Sequence, residues 1–323
     1  MNSLYPLKFH PILKERLWGG TKLADQLNKP STSDITGESW ELSGVEGDVS
    51  IVANGSLKGS SLNDLIQRWG DDLLGKSVVD RFGKEFPILI KFIDAKQDLS
   101  IQLHPHDELA RSRHNSFGKT EMWYIMDAED DASLIVGFNQ PMTKEQYIRS
   151  LEDKSLLEYM NYEKVKPGDT YFINTGKIHA IGAGVLLAEI QQTSDITYRV
   201  YDFDRRDKEG NLRELHTDLA LDAIDFEQKD DFKVTYGRDK DEVNPMVDCP
   251  YFKTNYLNLR KDLLLDTRER DSFTILMCVE GDAVVANEEG SASLTKGETL
   301  LLPACSEKIE IRSTGCELLE VTV

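Results

Sequence analysis

The stretch Asp98-Leu-Ser-Ile-Gln-Leu-His-Pro-His-Asp107 can fold in few ways. Leu99, Ile101 and Leu103 alternate with Ser100, Gln102 and His104, a period of two that fits a strand with two unlike faces. Residues two apart on a strand point the same way, so Gln102 and His104 share a face. Pro105 has no N–H to give a sheet ladder and closes the strand, leaving His104 at its end. His106 turns away into the following Asp107-Glu-Leu-Ala110 segment. A second strand, expected from Met122 to Met126, begins just after Glu121 and brings that carboxylate beside the first pair. An amide oxygen, an imidazole and a carboxylate converging on one point suit a divalent metal, with zinc the first choice. A lone His-x-His is common, so this reading needs a further imidazole from elsewhere in the chain.

At 323 residues the chain is long enough for one large or two ordinary domains. Its 38 basic and 57 acidic residues give a formal charge of −19, which argues against nucleic acid and anionic membrane surfaces as partners. An anionic small substrate would need a local basic pocket to overcome that field. No apolar run reaches the roughly 18 residues of a membrane span. The opening, Met1-Asn-Ser-Leu-Tyr-Pro-Leu-Lys8, lacks the basic start and long apolar core of a signal peptide. Cys249, Cys278, Cys305 and Cys316 form no Cys-x-x-Cys pair and fit buried thiols in a reducing cytoplasm. A cytoplasmic location is the expectation, and the sequence leaves the oligomeric state open.

Along the chain, Val49 to Ala53 reads as a short strand and Asn54-Gly55 as a hairpin turn. Ser61 caps a helix whose apolar positions are Leu62, Leu65, Ile66, Trp69 and Leu73. Pro87 to Ile93 is a nearly continuous apolar strand interrupted by Lys91, either an edge gatekeeper or a functional cation. Thr143 to Tyr159 reads as one broken or two short helices, and Thr217 to Ile224 as a last one. Strands are expected at Tyr171 to Ile173, from His179, and over Val185 to Gln192. A charged, turn-prone run from 228 to 245, with Asp230, Asp231, Arg238, Asp239, Lys240, Asp241 and Glu242, marks a domain boundary. The expected division is 1–240 and 241–323. Beyond it short β segments recur at Phe252 to Leu259, Phe273 to Val279, Ala283 to Ala286, Thr299 to Leu302 and Lys308 to Ile311. Lys166-Pro-Gly-Asp-Thr-Tyr-Phe-Ile-Asn174 lines up with Thr295-Lys-Gly-Glu-Thr-Leu-Leu-Leu-Pro303, a weak internal repeat. The first copy supplies His179 eleven residues after its glycine and the second has Lys308 there, so one metal per chain is expected.

The spacing Gly168-x5-Asn174-x-Gly176-x2-His179 resembles the second cupin motif, and Gln102-x-His104 followed by Glu121 resembles the first. Cupins are small antiparallel jelly-roll barrels, so a mainly β chain of two such barrels with helical insertions is implied. More narrowly, the chain resembles the type I phosphomannose isomerases (mannose-6-phosphate isomerases) in their shorter bacterial form. That resemblance rests on Trp18-Gly19, Gly37-Glu-Ser-Trp40, Lys91, Leu99 to His106, Gly118-Lys-Thr-Glu121, Gly176-Lys-Ile-His179 and Ser194-Asp-x-Thr-Tyr-Arg199. It implies a zinc site of Gln102, His104, Glu121 and His179, an essential arginine at Arg199, and a sugar phosphate as substrate. Longer members carry a lysine six residues after that arginine, where this chain has Arg205.

Aldose–ketose isomerisation moves a proton between two carbons through an enediol, and negative charge builds on oxygen as it does. A metal stabilises that charge as a Lewis acid. Arg199 cannot give up its proton and suits electrostatic stabilisation. Glu189 and Lys119 are both candidates for the base. Lys91, Ser100 and Arg205 form the candidate phosphate set. The bland alternative for Arg199 and Arg205 is surface pairing with Asp202, Asp204 or Asp207, while His10, His114 and His216 read as surface or packing residues. A metal-dependent cupin oxygenase and a non-catalytic sugar-binding cupin are the rival functions.

Overall fold

The computed structural model of the chain describes residues 4–207, 209–230 and 232–323. Met1 to Ser3 of the opening segment and Asp231 of the charged run lie outside the described residues. The first part of the chain runs through β1 (Ile12–Gly20), α1 (Lys22–Leu27), β2 (Thr36–Leu42), α2 (Leu62–Leu74), α3 (Lys76–Phe82), β3 (Ile88–Ala95), β4 (Ile101–Leu103), α4 (Asp107–His114), β5 (Glu121–Ala128) and β6 (Ser133–Phe138). It continues through α5 (Lys144–Glu152), β7 (Met160–Lys164), β8 (Thr170–Ile173), β9 (His179–Ile181), β10 (Val185–Gln192), β11 (Tyr198–Tyr201) and α6 (Thr217–Leu221). The rest is β: β12 (Val243–Asp248), β13 (Lys253–Leu259), β14 (Leu263–Asp266), β15 (Thr274–Asn287), β16 (Gly290–Thr295), β17 (Thr299–Leu302) and β18 (Lys308–Thr322).

Among the described residues these strands form three antiparallel sheets. One runs β1-β2-β3-β10-β5-β8, a second β11-β4-β9-β6-β7, and the third joins β12 to β18. The period-2 patterning sets how they stack. Odd-numbered residues of β3, β5 and β10, such as Ile93, Ile125 and Leu187, meet Leu134, Val136 and Ile181 of the second sheet in one buried core. Their even-numbered neighbours, including Ile90, Phe92, Met122, Tyr124 and Ile190, face the other way. There they pack against Leu62, Leu65 and Ile66 of α2 and against Phe273, Ile275, Met277 and Val321 of the third sheet. A strand buried on both faces is apolar throughout, which is why Pro87 to Ile93 lacks alternation. β3 lies inside its sheet, so Lys91 is not an edge gatekeeper.

The internal repeat is real at the level of the backbone. Gly168 and Gly297 take nearly the same left-handed φ, 85° and 84°. Gly168 N–H donates to Ile125 O at 2.8 Å and Ile125 N–H donates to Asp169 O at 2.9 Å. In the second copy Gly297 N–H donates to Cys278 O at 2.8 Å and Cys278 N–H to Glu298 O at 3.0 Å. Each turn delivers a short strand to an inner neighbour, β8 to β5 and β17 to β15.

Two helices start as expected: Ser61 Oγ accepts from Asp64 N–H at 3.1 Å to cap α2, and a capping box at Thr143 starts α5. The last, α6, ends at Leu221 rather than Ile224, and α1, α3 and α4 are additional. Three other expectations change. Val49 to Ala53 makes only isolated bridges, Val52 with Phe9 and Ile51 with Ser61. The chain reverses through a wider loop than a two-residue turn, with Val52 N–H donating to Ser60 O and Gly59 N–H to Val52 O, each at 2.9 Å. The Tyr5 hydroxyl braces that loop, donating to Asn54 O at 2.9 Å and accepting from Leu57 N–H at 2.8 Å. The segments Phe273 to Val279 and Ala283 to Ala286 are one strand, β15, because register shifts absorb the Glu280-Gly281 interruption as a bulge. Cys305 is exposed, while Cys278 and Cys316 are buried and all four thiols are free.

Phe273 packs against Phe86 with tilted rings whose centroids are 5.0 Å apart, both buried between the third sheet and the rest. Phe273→Ala is expected to cost about 3–5 kcal/mol. All four tryptophans precede residue 241, so tryptophan fluorescence reports on the first part of the chain alone. In urea titrations the fluorescence transition should shift together with the far-UV circular dichroism. A shift confined to circular dichroism would show that the two parts unfold independently.

Candidate metal centre and substrate cavity

Two cross-strand rows face each other over the interior of the first two sheets. In one, Trp40, Lys91, Glu189, Trp123 and Tyr171 are successive register partners on β2, β3, β10, β5 and β8. In the other, Arg199, Gln102, His179 and Val136 are partners on β11, β4, β9 and β6. Directly paired residues of neighbouring strands share a face, so each row presents its side chains to the same space. Polar side chains occupy these rows at one end of the sandwich and apolar ones fill the rest.

Glu121, His104 and His179 meet at the floor. All three are buried, and one ligand-capable atom from each lies within 4.8 Å of the others. Glu121 Oε1 is 3.3 Å from His179 Nε2, and Glu121 Oε2 is 3.5 Å from His104 Nε2. Both rings are oriented from behind: His104 Nδ1 bonds Ile196 O and His179 Nδ1 bonds Lys177 O, each at 2.8 Å. A carbonyl can only accept, so both Nδ1 atoms carry the proton and both Nε2 lone pairs point into the site. Burial, reinforced by Lys119, keeps both imidazoles neutral. Glu121 Oε1 and His179 Nε2 are buried with no hydrogen-bond partner. Two neutral imidazoles, a carboxylate and orphaned donor atoms fit a divalent cation. Gly176 makes the floor possible: its φ is 80°, a Cβ there would lie 2.6 Å from Ala223 O, and its N–H holds His104 O at 2.8 Å.

Lys119 and Glu189 sit beside this group. Lys119 Nζ is 2.5 Å from Glu121 Oε2 and 3.1 Å from His104 Nε2. Burial alone would lower its pKa, but Glu121 and Glu189 raise it above the ordinary value. Burial likewise pushes Glu121 up to about 7, against the pull of Lys119. Glu189 behaves oppositely: burial would raise it, yet Lys91 and then Lys119 hold it down at about 2. It accepts from Trp123 Nε1 at 2.8 Å and pairs with Lys91 Nζ at 3.1 Å.

Above the floor opens a cavity of about 430 Å³. Lys91, Ser100, Gln102, Lys119, Glu189 and Arg199 all line it. Arg199 does not pair with the neighbouring aspartates. Its Nη1 donates to Glu214 O at 3.0 Å, its Nε has no partner, and its backbone N–H donates to His216 Nδ1 at 3.0 Å. His216 thus fixes the strand that carries the arginine. Arg205 is not among the lining residues; its guanidinium bonds Asp98 O and Asp202 Oδ1, both at 2.5 Å. The same Asp202 holds Arg213, through Nε at 2.6 Å, and Arg213 does line the cavity, as does Arg16, paired with Glu38 at 2.9 Å. Sequence reasoning missed Arg16, Glu38, Trp123 and Arg213. Trp123 was findable two residues after Glu121 on one strand face. Arg213 carries no local signal, because a loop returns it to the cavity.

The chain matches the family described as phosphomannose isomerase type I, catalytic domain, over residues 7–134. It matches the mannose-6-phosphate isomerase cupin domain over residues 242–323. Among curated proteins it is 38% identical over 301 residues to mannose-6-phosphate isomerase ManA of Bacillus subtilis, covering 92% of this chain and 93% of that one. Mannose-6-phosphate isomerase of Streptococcus mutans is 30% identical, covering 92% of each. The crystal structure of the mannose 6-phosphate isomerase from Bacillus subtilis superposes with a TM-score of 0.89 at 32% identity, over 98% of this chain and 99% of that one.

His179 is pushed down to about 3, mainly by burial, whereas an unfolded histidine titrates near about 6.5. Below that upper value the unfolded chain binds a proton that the folded chain refuses, so stability falls as pH is lowered through the window. Chelator-treated parent protein should lose stability between about pH 6.5 and pH 3, and His179→Gln should flatten part of that slope. The check is urea denaturation of both proteins across this range; identical slopes would mean that His179 is not held neutral.

Proposed function

The chain belongs to the type I phosphomannose isomerase family, and we propose that it is a zinc-dependent aldose–ketose isomerase interconverting mannose 6-phosphate and fructose 6-phosphate. The observation that carries this reading is the buried His104–Glu121–His179 group, with its orphaned donor atoms, at the floor of a cavity walled by Lys91, Arg16, Arg199 and Arg213. Gln102, His104, Glu121 and His179 would hold one zinc ion per chain. Zinc there supplies Lewis-acid stabilisation of the charge that develops on substrate oxygen. Residues 1–240 form the catalytic unit in this reading, and 241–323 a second cupin-like unit without ligands. The enzyme works in the cytoplasm, with a sugar phosphate as its small-molecule partner.

The remaining steps fall to side chains. Moving a proton between C2 and C1 needs a group that takes and returns it at short range. Glu189, held near about 2 and engaged by Trp123 and Lys91, is a weak acceptor; it orients those two groups and balances their charge. Lys119 is the better candidate, since it gives up part of the pairing that holds its proton once Glu121 serves as a ligand. Arg199, with an unpartnered Nε and half-buried, stabilises the enediolate oxygen. The phosphate is taken by Arg213 with Lys91 and Ser100, and Arg205 acts by sharing Asp202 with Arg213.

The direct test is a coupled assay of fructose 6-phosphate formation together with elemental analysis of the purified protein. One zinc per chain and product formation are expected. Absence of product with a full complement of metal would reject the activity.

Two arginine variants separate catalysis from binding. Loss of one preorganised donor costs about 2.7–4 kcal/mol, so Arg199→Lys should lower kcat roughly a hundred- to a thousandfold with zinc retained. The planar fork of donors is gone although the charge remains. Arg213→Ala should instead raise KM for mannose 6-phosphate roughly ten- to a hundredfold with little change in kcat. If Arg199→Lys changes only KM, the catalytic role given to it is wrong.

A further inference from the structure

Lys119 reaches the floor from Gly118-Lys-Thr120, a segment outside any strand or helix. Its position is set by the two backbone amides that flank it. Gly118 N–H donates to Asp107 Oδ1 at 2.8 Å, and Thr120 N–H donates to Gln192 Oε1 at 2.8 Å. The two acceptors are tied together, since Gln192 Nε2 donates to the same Asp107 Oδ1 at 3.0 Å. Gly118 lies close on this brace: a Cβ there would fall 2.9 Å from both Asp107 N and Oδ1. The other carboxylate oxygen, Asp107 Oδ2, accepts from the Tyr251 hydroxyl at 2.7 Å. Tyr251 comes from the far side of the chain, just ahead of β13, and Arg81 lies 5.9 Å over its ring.

We propose that the C-terminal part of the chain takes part in the reaction of the first part, with Tyr251, through Asp107 and Gln192, holding the 118–120 segment so that Lys119 stays at the floor of the cavity. Asp107, Gln192 and Tyr251 are positioning residues and touch no substrate. A reacting group displaced by a fraction of an ångström loses much of its effect, so a brace acting on both neighbours of Lys119 bears directly on rate. The inference rests on the role given above to Lys119, and two separate readouts keep the ideas apart.

The first readout is steady-state kinetics of the zinc-loaded enzyme. Tyr251→Phe removes one hydrogen bond to a carboxylate and should lower kcat about three- to tenfold, with KM for mannose 6-phosphate and zinc content unchanged. Asp107→Ala removes the whole brace and should lower kcat about ten- to a hundredfold. In a Lys119→Ala background neither change should lower kcat further, because the group they position is gone. The second readout does not depend on activity: reductive methylation followed by peptide mass spectrometry. Tyr251→Phe should speed labelling of Lys119 severalfold and leave Lys91, fixed within β3, unaffected. Should Asp107→Ala fail to fold, Tyr251→Phe carries the test by itself. Faster Lys119 labelling with unchanged kcat would uphold the brace and remove Lys119 from the chemistry. Unchanged labelling, or a kcat loss that multiplies with that of Lys119→Ala, would overturn the proposal.

Discussion

A fully buried carboxylate governs this structure. Glu121 has no solvent to share its charge, one of its oxygens lacks a hydrogen-bond donor, and the other is faced by the Lys119 ammonium. An unpaired carboxylate in such a place costs several kcal/mol, so the fold around it must supply positive charge. Lys119 supplies some, and the two inward lone pairs of His104 and His179 complete a site suited to a dication. Neutral imidazoles are essential to that arrangement, and burial together with the carbonyls of Ile196 and Lys177 maintains them.

The two facing sheets divide the work. The six-stranded sheet provides acids and amines in a continuous row, Lys91–Glu189 flanked by Trp40 and Trp123, whose indoles close the wall. The five-stranded sheet provides His179, Gln102 and Arg199 as direct neighbours. Because the rows are fixed by sheet hydrogen bonds, their side chains keep their spacing without help from loops. The loops add what rows do not: Arg213, returned by a turn and held by Asp202, and Lys119, held by the Asp107–Gln192 brace. In a chain with a formal charge of −19, five cationic side chains lining one cavity form the local basic pocket that an anionic substrate requires.

The third sheet repeats the turn geometry of the first part and lacks its chemistry. Gly297 turns as Gly168 does, yet an exposed Lys308 stands where the first copy has a buried histidine. The strands of the sheet themselves contribute cover. Phe273, Ile275, Met277 and Val321 seal the outer face of β3, β5 and β10, which buries those strands on the side away from the site.

Local patterns determined a large share of what is found. Alternation from Leu99 to His104, the stop at Pro105 and the Gly176 turn concern residues a few positions apart, and backbone geometry translates such spacing directly into direction. The strands over Val185–Gln192 and Thr299–Leu302 were legible to the residue for the same reason, as was the capped helix from Leu62. The His104, Glu121 and His179 group was implied by the resemblance to the family motifs, and it is the facing of the two sheets that brings Glu121 to the histidines. Other features depended on partners distant in sequence. The reversal at Asn54-Gly55 is wider than a tight hairpin, closed by Val52 against Gly59 and Ser60 and braced by Tyr5 from 49 residues away. Asp202 is shared between two arginines, and only the bridge of Arg206 with Leu212 decides that Arg213 faces the cavity while Arg205 ties down Asp98. Glu189 reads in the sequence as one of two candidate bases, and its pairing with Lys91 and Trp123 is set by the strands on either side. A side chain's direction is written in its own neighbourhood; its charge state and its partners are settled by whichever strands the fold lays beside it.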